Sequence, residues 1–195
     1  PCDVLDYESD GLPAEYRGNL LSTSWADHRI ERYRLTPKGA SYTSKRETLI
    51  QGDQFFRPVS MDIAPDGSIF ISDWANKSYT LHGHGRVWRI RSKDPSKTNR
   101  PANPVKAIES IDRATRAKAA KSLVTAGKLN PLKKLLRTSK DPRIQATALQ
   151  ALSQAPDAEK DLVRAVEKGT HPEIQALAHR LLIKSGNTSF SAFAI

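Results

Sequence analysis

The sequence is poor in sulfur, with one cysteine and one methionine in 195 residues. A lone thiol, Cys2, excludes an intrachain disulfide, a cysteine-rich zinc site and a Cys-x-x-Cys-His haem attachment. No apolar run approaches the roughly 18–20 residues that a membrane-spanning helix needs. The opening residues, Pro1 to Glu8, are acidic and lack the apolar core of a secretory leader. A Gly-rich phosphate loop, a Ser-His-Asp grouping and a His-x-x-x-His helix motif are also missing, so three common chemistries have no signature here. Acid is scarce in one half only. Residues 1–104 carry 15 Lys/Arg against 13 Asp/Glu, whereas residues 105–195 carry 16 against 8. Most of the net charge of +10 therefore belongs to the second half. Such a bias suits an acidic partner or a solvated cationic face.

What is present is repetition, in two rhythms. Asn19-Leu-Leu-Ser-Thr-Ser-Trp25-Ala26 aligns with Ser68-Ile-Phe-Ile-Ser-Asp-Trp74-Ala75, each an apolar strand ending in tryptophan. A turn precedes each copy, and Pro65-Asp66-Gly67 is a strong one, because proline presets φ and glycine accepts positive φ. Asp66 itself reads as turn chemistry. Residues 29–35, 42–50, 59–63 and 86–91 read as further strands. About four short strands in each period near fifty is the spacing of a β-propeller blade. Residues 1–93 would supply about two blades, where a closed ring needs roughly four to eight. Two blades leave sheet edges uncovered, so the chain reads as part of a longer protein.

Residues 94–105 contain three prolines and read as a linker. Beyond it the period shortens. Asp141-Pro-Arg-Ile-Gln-Ala-Thr-Ala-Leu aligns with His171-Pro-Glu-Ile-Gln-Ala-Leu-Ala-His, and a weaker copy starts at Asp112. Asp-Pro opens a helix with a capping carboxylate and a first-turn proline. Leu132, Leu135 and Leu136, then Leu162, Val163 and Val166, recur at helical spacing. The expected fold is two-domain, β then α: a partial β-propeller over 1–93 followed by a HEAT-like α-solenoid over 106–195.

The run Phe56-Arg57-Pro58-Val59, Pro65-Asp66-Gly67, Asp73-Trp74 and His84-Gly85-Arg86 resembles a family of large secreted proteins of planctomycetes and verrucomicrobia known as membrane-bound dehydrogenases. Their propeller is similar to sugar dehydrogenases of the glucose/sorbosone type, with HEAT repeats after it and often a cytochrome c domain. The resemblance implies a periplasmic or extracytoplasmic protein and a quinone cofactor or calcium in the complete molecule. It also implies sugar or alcohol oxidation coupled to cytochrome electron transfer. This chain, lacking most blades and any haem motif, is expected to be inactive alone. The other two readings are a non-enzymatic scaffold binding protein through its helices, and nucleic-acid binding.

The candidate residues follow. His82 and His84 flank a glycine in a loop that is an insertion relative to the first copy, and either is a candidate base or ligand. The plainer reading is a histidine bonded to backbone at a tight turn. Asp73 is a second candidate base. Arg57 is a candidate anion binder, or one half of a salt bridge to Asp62 or Asp73. Trp25 and Trp74 are candidates to stack on a sugar, or are packing residues of equivalent blades. Residues 113–140 hold nine basic side chains and no acid: Arg113, Arg116, Lys118, Lys121, Lys128, Lys133, Lys134, Arg137 and Lys140. This patch suits an acidic protein partner, a nucleic-acid backbone or plain solvation. No aromatic interrupts it, which counts against single-stranded nucleic acid.

Overall fold

The computed structural model describes residues 1–38, 41–93 and 100–186. The chain divides into two compact units between residues 99 and 100. The first is all strand apart from one 3₁₀ turn, Ala14–Tyr16. A four-stranded antiparallel sheet has the order β1 (Asp3–Asp6), β2 (Leu20–Ser24), β3 (Arg29–Lys38), β4 (Ser41–Gln51). A three-stranded sheet has the order β5 (Pro58–Ile63), β6 (Ile69–Asp73), β7 (Arg86–Ile90).

The two sheets repeat in register, not only in order. Leu20 pairs with Tyr33 and Ser24 with Arg29 in the first; Ile69 pairs with Ile90 and Asp73 with Arg86 in the second. Asp3 opposes Thr23, as Ser60 opposes Ser72. Thus β5, β6 and β7 correspond to β1, β2 and β3. The difference between copies is the connection to the third strand, which is longer before β7 and holds residues 74–85.

Side chains alternate across a strand, so each sheet has two faces. Leu21 and Ile30 on one face of the first sheet pack against Met61, Ile69 and Ile71 of the second. The residues of the second sheet that correspond to Leu21 and Ile30 are Phe70 and Val87. Those are 41% and 70% exposed, whereas their counterparts are fully buried. The sheets therefore stack head to tail: the face that β2 and β3 bury is the face that β6 and β7 leave open. A turn locks the stack at one end. Gly67, at φ +78°, sits against Gly11, where an added Cβ would lie 2.3 Å from the Gly67 carbonyl carbon. The Tyr7 hydroxyl donates to the Gly67 carbonyl at 2.7 Å and accepts from Leu12 N at 2.7 Å.

The second unit is helical: α1 (Pro104–Ala107), α2 (Arg113–Thr125), α3 (Asn130–Thr138), α4 (Pro142–Leu152), α5 (Ala158–Lys168) and α6 (Pro172–Lys184). Helix α1 begins within the expected linker; Asn103 accepts from Val105 N at 2.9 Å there. Asp112 and Asp141 cap α2 and α4, accepting from Thr115 N and Arg143 N at 2.8 Å each. His171 stands at the same position before α6 and makes no side-chain cap. Helix α4 packs on α2 and on α6, while α3 and α5 lean on the helix that follows each. Ala148 and Ala178, both buried, allow the close approach. Leu132, Leu149, Leu162 and Leu182 fill the interior.

One expected surface residue is a core residue. Arg116 is 3% exposed and donates from Nη1 to the Ser110 and Ile111 carbonyls at 2.9 and 2.7 Å. One repeat later Gln145, fully buried, donates to the Ser139 carbonyl at 2.7 Å. Arg116 thus occupies a repeated helix position that clamps the preceding loop. It is withdrawn from the basic patch: a buried guanidinium that donates to two loop carbonyls has no face left for a partner.

Candidate functional site

Trp25 and Trp74 each follow the last residue of the equivalent strands β2 and β6, so the repeat delivers both to one end of the unit. There they line a single hollow of about 630 Å³ with Tyr79, Asp27, Glu31, Tyr33 and Arg46. The Trp25 ring stacks with Tyr79 at 5.8 Å between centroids, inclined by 8°. The guanidinium of Arg57 sits 4.3 Å from the Trp25 ring centre, and its Nη1 donates to the Trp25 carbonyl at 3.2 Å. The Trp74 indole is fixed by its N–H, which donates to the Ser78 carbonyl at 2.6 Å.

Glu31 anchors the polar side. It accepts from the Tyr33 hydroxyl at 2.6 Å and from Arg29 Nε at 2.8 Å. Burial alone would raise its carboxyl. The Tyr33 hydrogen bond and the bond and charge of Arg29 outweigh that and hold it below the ordinary glutamate range. Donation to this carboxylate, with burial, raises the Tyr33 phenol. Beside it Asp27 is kept low by the Ser24 hydroxyl, 2.7 Å away, and by Arg29. The hollow thus offers aromatic faces and fixed, ionised acceptors. That combination suits hydroxyl-rich rings; carboxylates held ionised by arginine are weak bases.

Three candidates for chemistry prove to be spent on structure. Asp73 is buried, and its Oδ1 accepts from Arg57 N at 2.7 Å and Ala75 N at 2.8 Å. Its Oδ2 accepts from Trp88 Nε1 at 2.8 Å and pairs with Arg86 at 2.9 Å. Four donors saturate a carboxylate, so Asp73 is no free base. Its bond to Ala75 supports a non-glycine residue at φ +64°, a conformation that costs about 1 kcal/mol or more. Arg57 meets Asp73 through its backbone N–H, and its side chain packs on Trp25. His82 accepts from His84 N through Nδ1 at 3.0 Å. A neutral imidazole accepting at Nδ1 carries its proton on Nε2, which leaves no lone pair for a metal or a substrate proton. The His82 ring instead lies edge-on to Trp74 at 4.8 Å and stacks with His84 at 5.6 Å. The insertion therefore braces Trp74 and brings Tyr79 to Trp25.

Glu31, Tyr33 and Tyr79 were not singled out from the sequence. Arg29-x-Glu31-x-Tyr33 alternates on one strand, which places all three on one face; that was the available signal. Among the described residues no three His, Cys, Asp or Glu side chains gather as a metal site. In the helical unit, Arg113, Lys118, Lys121, Lys128, Lys134, Arg137 and Lys140 are exposed. Lys133 is half-buried and pairs with Asp161 at 2.9 Å. No helix among the described residues is long and apolar enough to cross a membrane.

Residues 1–94 match a family described as a domain of unknown function, DUF7133. Neither the curated proteins nor the solved structures compared with the chain gave a match.

Proposed function

We propose that the strand unit is a carbohydrate-binding wall of a larger β-propeller, and that the helical unit is a HEAT-type arm attached to it. The proposed whole is an extracytoplasmic protein similar to the sugar dehydrogenases of the resemblance. The head-to-tail stacking of two sheets in matching register supports the propeller, since such contacts generate rings of repeated sheets. Helices recurring near thirty residues, with one repeated polar clamp, support the HEAT reading. The observation that carries the binding function is that Trp25 and Trp74, equivalent in the two sheets, open on one hollow beside an ionised Glu31. In this reading the chain binds a sugar or polyol without oxidising it, because its best-placed acid, Asp73, is saturated. The quinone and the haem domain belong to other parts of such a protein.

Calorimetric titration of the chain with simple hexoses and polyols tests this. We expect millimolar binding, weakened about three- to tenfold in Trp74→Ala, the size of one stacking contact. We also expect no sugar oxidation with an artificial electron acceptor. Absence of binding to every sugar tried, or unchanged binding in both Trp25→Ala and Trp74→Ala, would sink the reading.

A second reading concerns the helical unit. Lys133, Arg137, Arg164 and Lys168 surround a hollow of about 140 Å³ beside α3 and α5, with Asp161 the single acid. This supports docking of an acidic protein rather than nucleic acid. Retention on an acidic protein column but not on DNA at equal salt is the expected result.

A further inference from the structure

The repeat shows what the second sheet lacks. In the first sheet Arg32 and Arg34 lie on β3, and β4 runs along its far side. Glu47 of β4 lies 3.0 Å from Arg34 Nε and 4.0 Å from Arg32 Nη1. Arg32 Nε also donates to Asn19 Oδ1 at 3.0 Å, and Arg32 pairs with Glu15 at 3.2 Å. The counterparts on β7 and beyond, by register, are Arg89 and Arg91. Arg89 Nε donates to Ser68 Oγ at 3.0 Å, as Arg32 does to Asn19, and Arg89 pairs with Asp66 in place of Glu15. The loop half of the arrangement is therefore reproduced. The strand half is not: among the described residues no strand pairs with the outer side of β7. Among the described residues no carboxylate stands in the Glu47 position and none pairs with Arg91. The strand beside this edge is exposed, with Trp88 at 43%. A hollow of about 320 Å³ adjoins β7, lined by Ile50, Phe56, Trp88 and Ile90 with Asp53 as its single acid.

We propose that the open side of β7 takes an extended strand, antiparallel, with a carboxylate opposite Arg89 and Arg91. The unpaired backbone groups of an edge strand provide the binding, and the two arginines set register and select an acid-bearing segment. The inference rests on the sheet repeat and is independent of the sugar hollow, so either can fail alone.

The test uses the full chain and a synthetic peptide with the sequence of residues 41–51, together with its Glu47→Lys version. Amide hydrogen exchange along β7 and calorimetric affinity are read. We expect the first peptide to slow exchange at β7 and the lysine version to bind about three- to tenfold more weakly, the size of two exposed ion pairs. In Arg89→Glu/Arg91→Glu the preference should reverse. Arg91→Glu alone, at an exposed side chain, should at least halve it and serves if the double variant does not fold. Equal binding of the two peptides overturns the proposal, as does unchanged β7 exchange at millimolar peptide.

Discussion

Both units repeat a polar clamp, but only in the helices are both copies buried and complete. In the helices Arg116 and Gln145 hold the carbonyl of the preceding loop, and each also reaches the next element: Arg116 to Thr147 Oγ1 at 3.4 Å, Gln145 to Thr170 Oγ1 at 3.0 Å. Each side chain thus bridges the preceding loop and the following repeat. In the strands Arg32 is closed on both sides by Glu15 and Glu47, whereas Arg89 is closed on one. The helical stack depends on shape, with alanine and leucine meeting across short spans. The sheet stack depends on placed charges, with Glu31, Arg32, Arg57 and Asp73 all buried. The difference teaches that the strand unit is held largely by placed charges and the helical unit largely by apolar shape.

The sharpest way to break this comparison is to remove a charge from one unit and an apolar group from the other. All three tryptophans lie in the strand unit, so their fluorescence reports the sheets while circular dichroism at 222 nm reports the helices. Asp73→Ala strips the partner from four donors, one of them arginine. We expect a loss of about 3–5 kcal/mol in urea unfolding followed by fluorescence, because the buried Arg57 and Ala75 N–H groups lose their acceptor at about 1–3 kcal/mol each and the Trp88 N–H loses its own. Leu149→Ala in the helical core should cost about 2–5 kcal/mol by circular dichroism, from lost burial and the cavity left behind. The fluorescence transition should stay put in that variant, since the units are compact separately. Gln145→Ala orphans the Ser139 carbonyl and should cost about 1–3 kcal/mol. A loss as large as that of Asp73→Ala would show that the helices, too, depend on placed polarity.

Acid should separate the units without mutation. Asp66 is drawn down to about 2, first by the Ser68 hydroxyl and then by the Ser68 backbone N–H. Asp3 is held low chiefly by the Met61 N–H, and Glu31 is low as described. All three belong to the sheets. Their folded values lie below their unfolded ones, so the unfolded chain binds more protons as pH falls. The stability they contribute is present above about pH 4–5, the unfolded range, and is lost downward toward pH 2. The fluorescence transition is expected to shift to lower urea over that window. The smallest effect expected is from Lys133→Ala, which breaks a partly exposed pair with Asp161 and should cost less than about 1 kcal/mol.

The sequence carried the architecture well because its signals are local. Strands β2 and β6 fall on the two aligned apolar runs, α4 begins at the Asp-Pro step read as a cap with a first-turn proline, and α6 begins at the aligned His-Pro step. Trp25 and Trp74 were legible as a pair because the repeat aligned them. The roles of charged residues were not legible. Arg116 looked like surface because arginine is seldom buried, and only the loop folding back onto its helix makes it a clamp. Asp73 was read as a catalytic candidate or as a salt-bridge partner of Arg57; its bonds to Trp88 and Arg86 come from β7, remote in sequence, and were not legible. Glu31 and Tyr33 form a site only when the Trp74 loop is brought alongside, a contact between separate strands that no spacing encodes.

The account stands on Trp25 and Trp74 facing one ligand while Trp88 serves the Asp73 cluster. Each indole N–H gives its own proton–nitrogen resonance, so a titration of the labelled chain with a hexose separates them directly. The resonances of Trp25 and Trp74 are predicted to move together along one binding curve, with that of Trp88 unmoved. Movement of Trp88 alone, or no movement of any indole at saturating sugar, would contradict it.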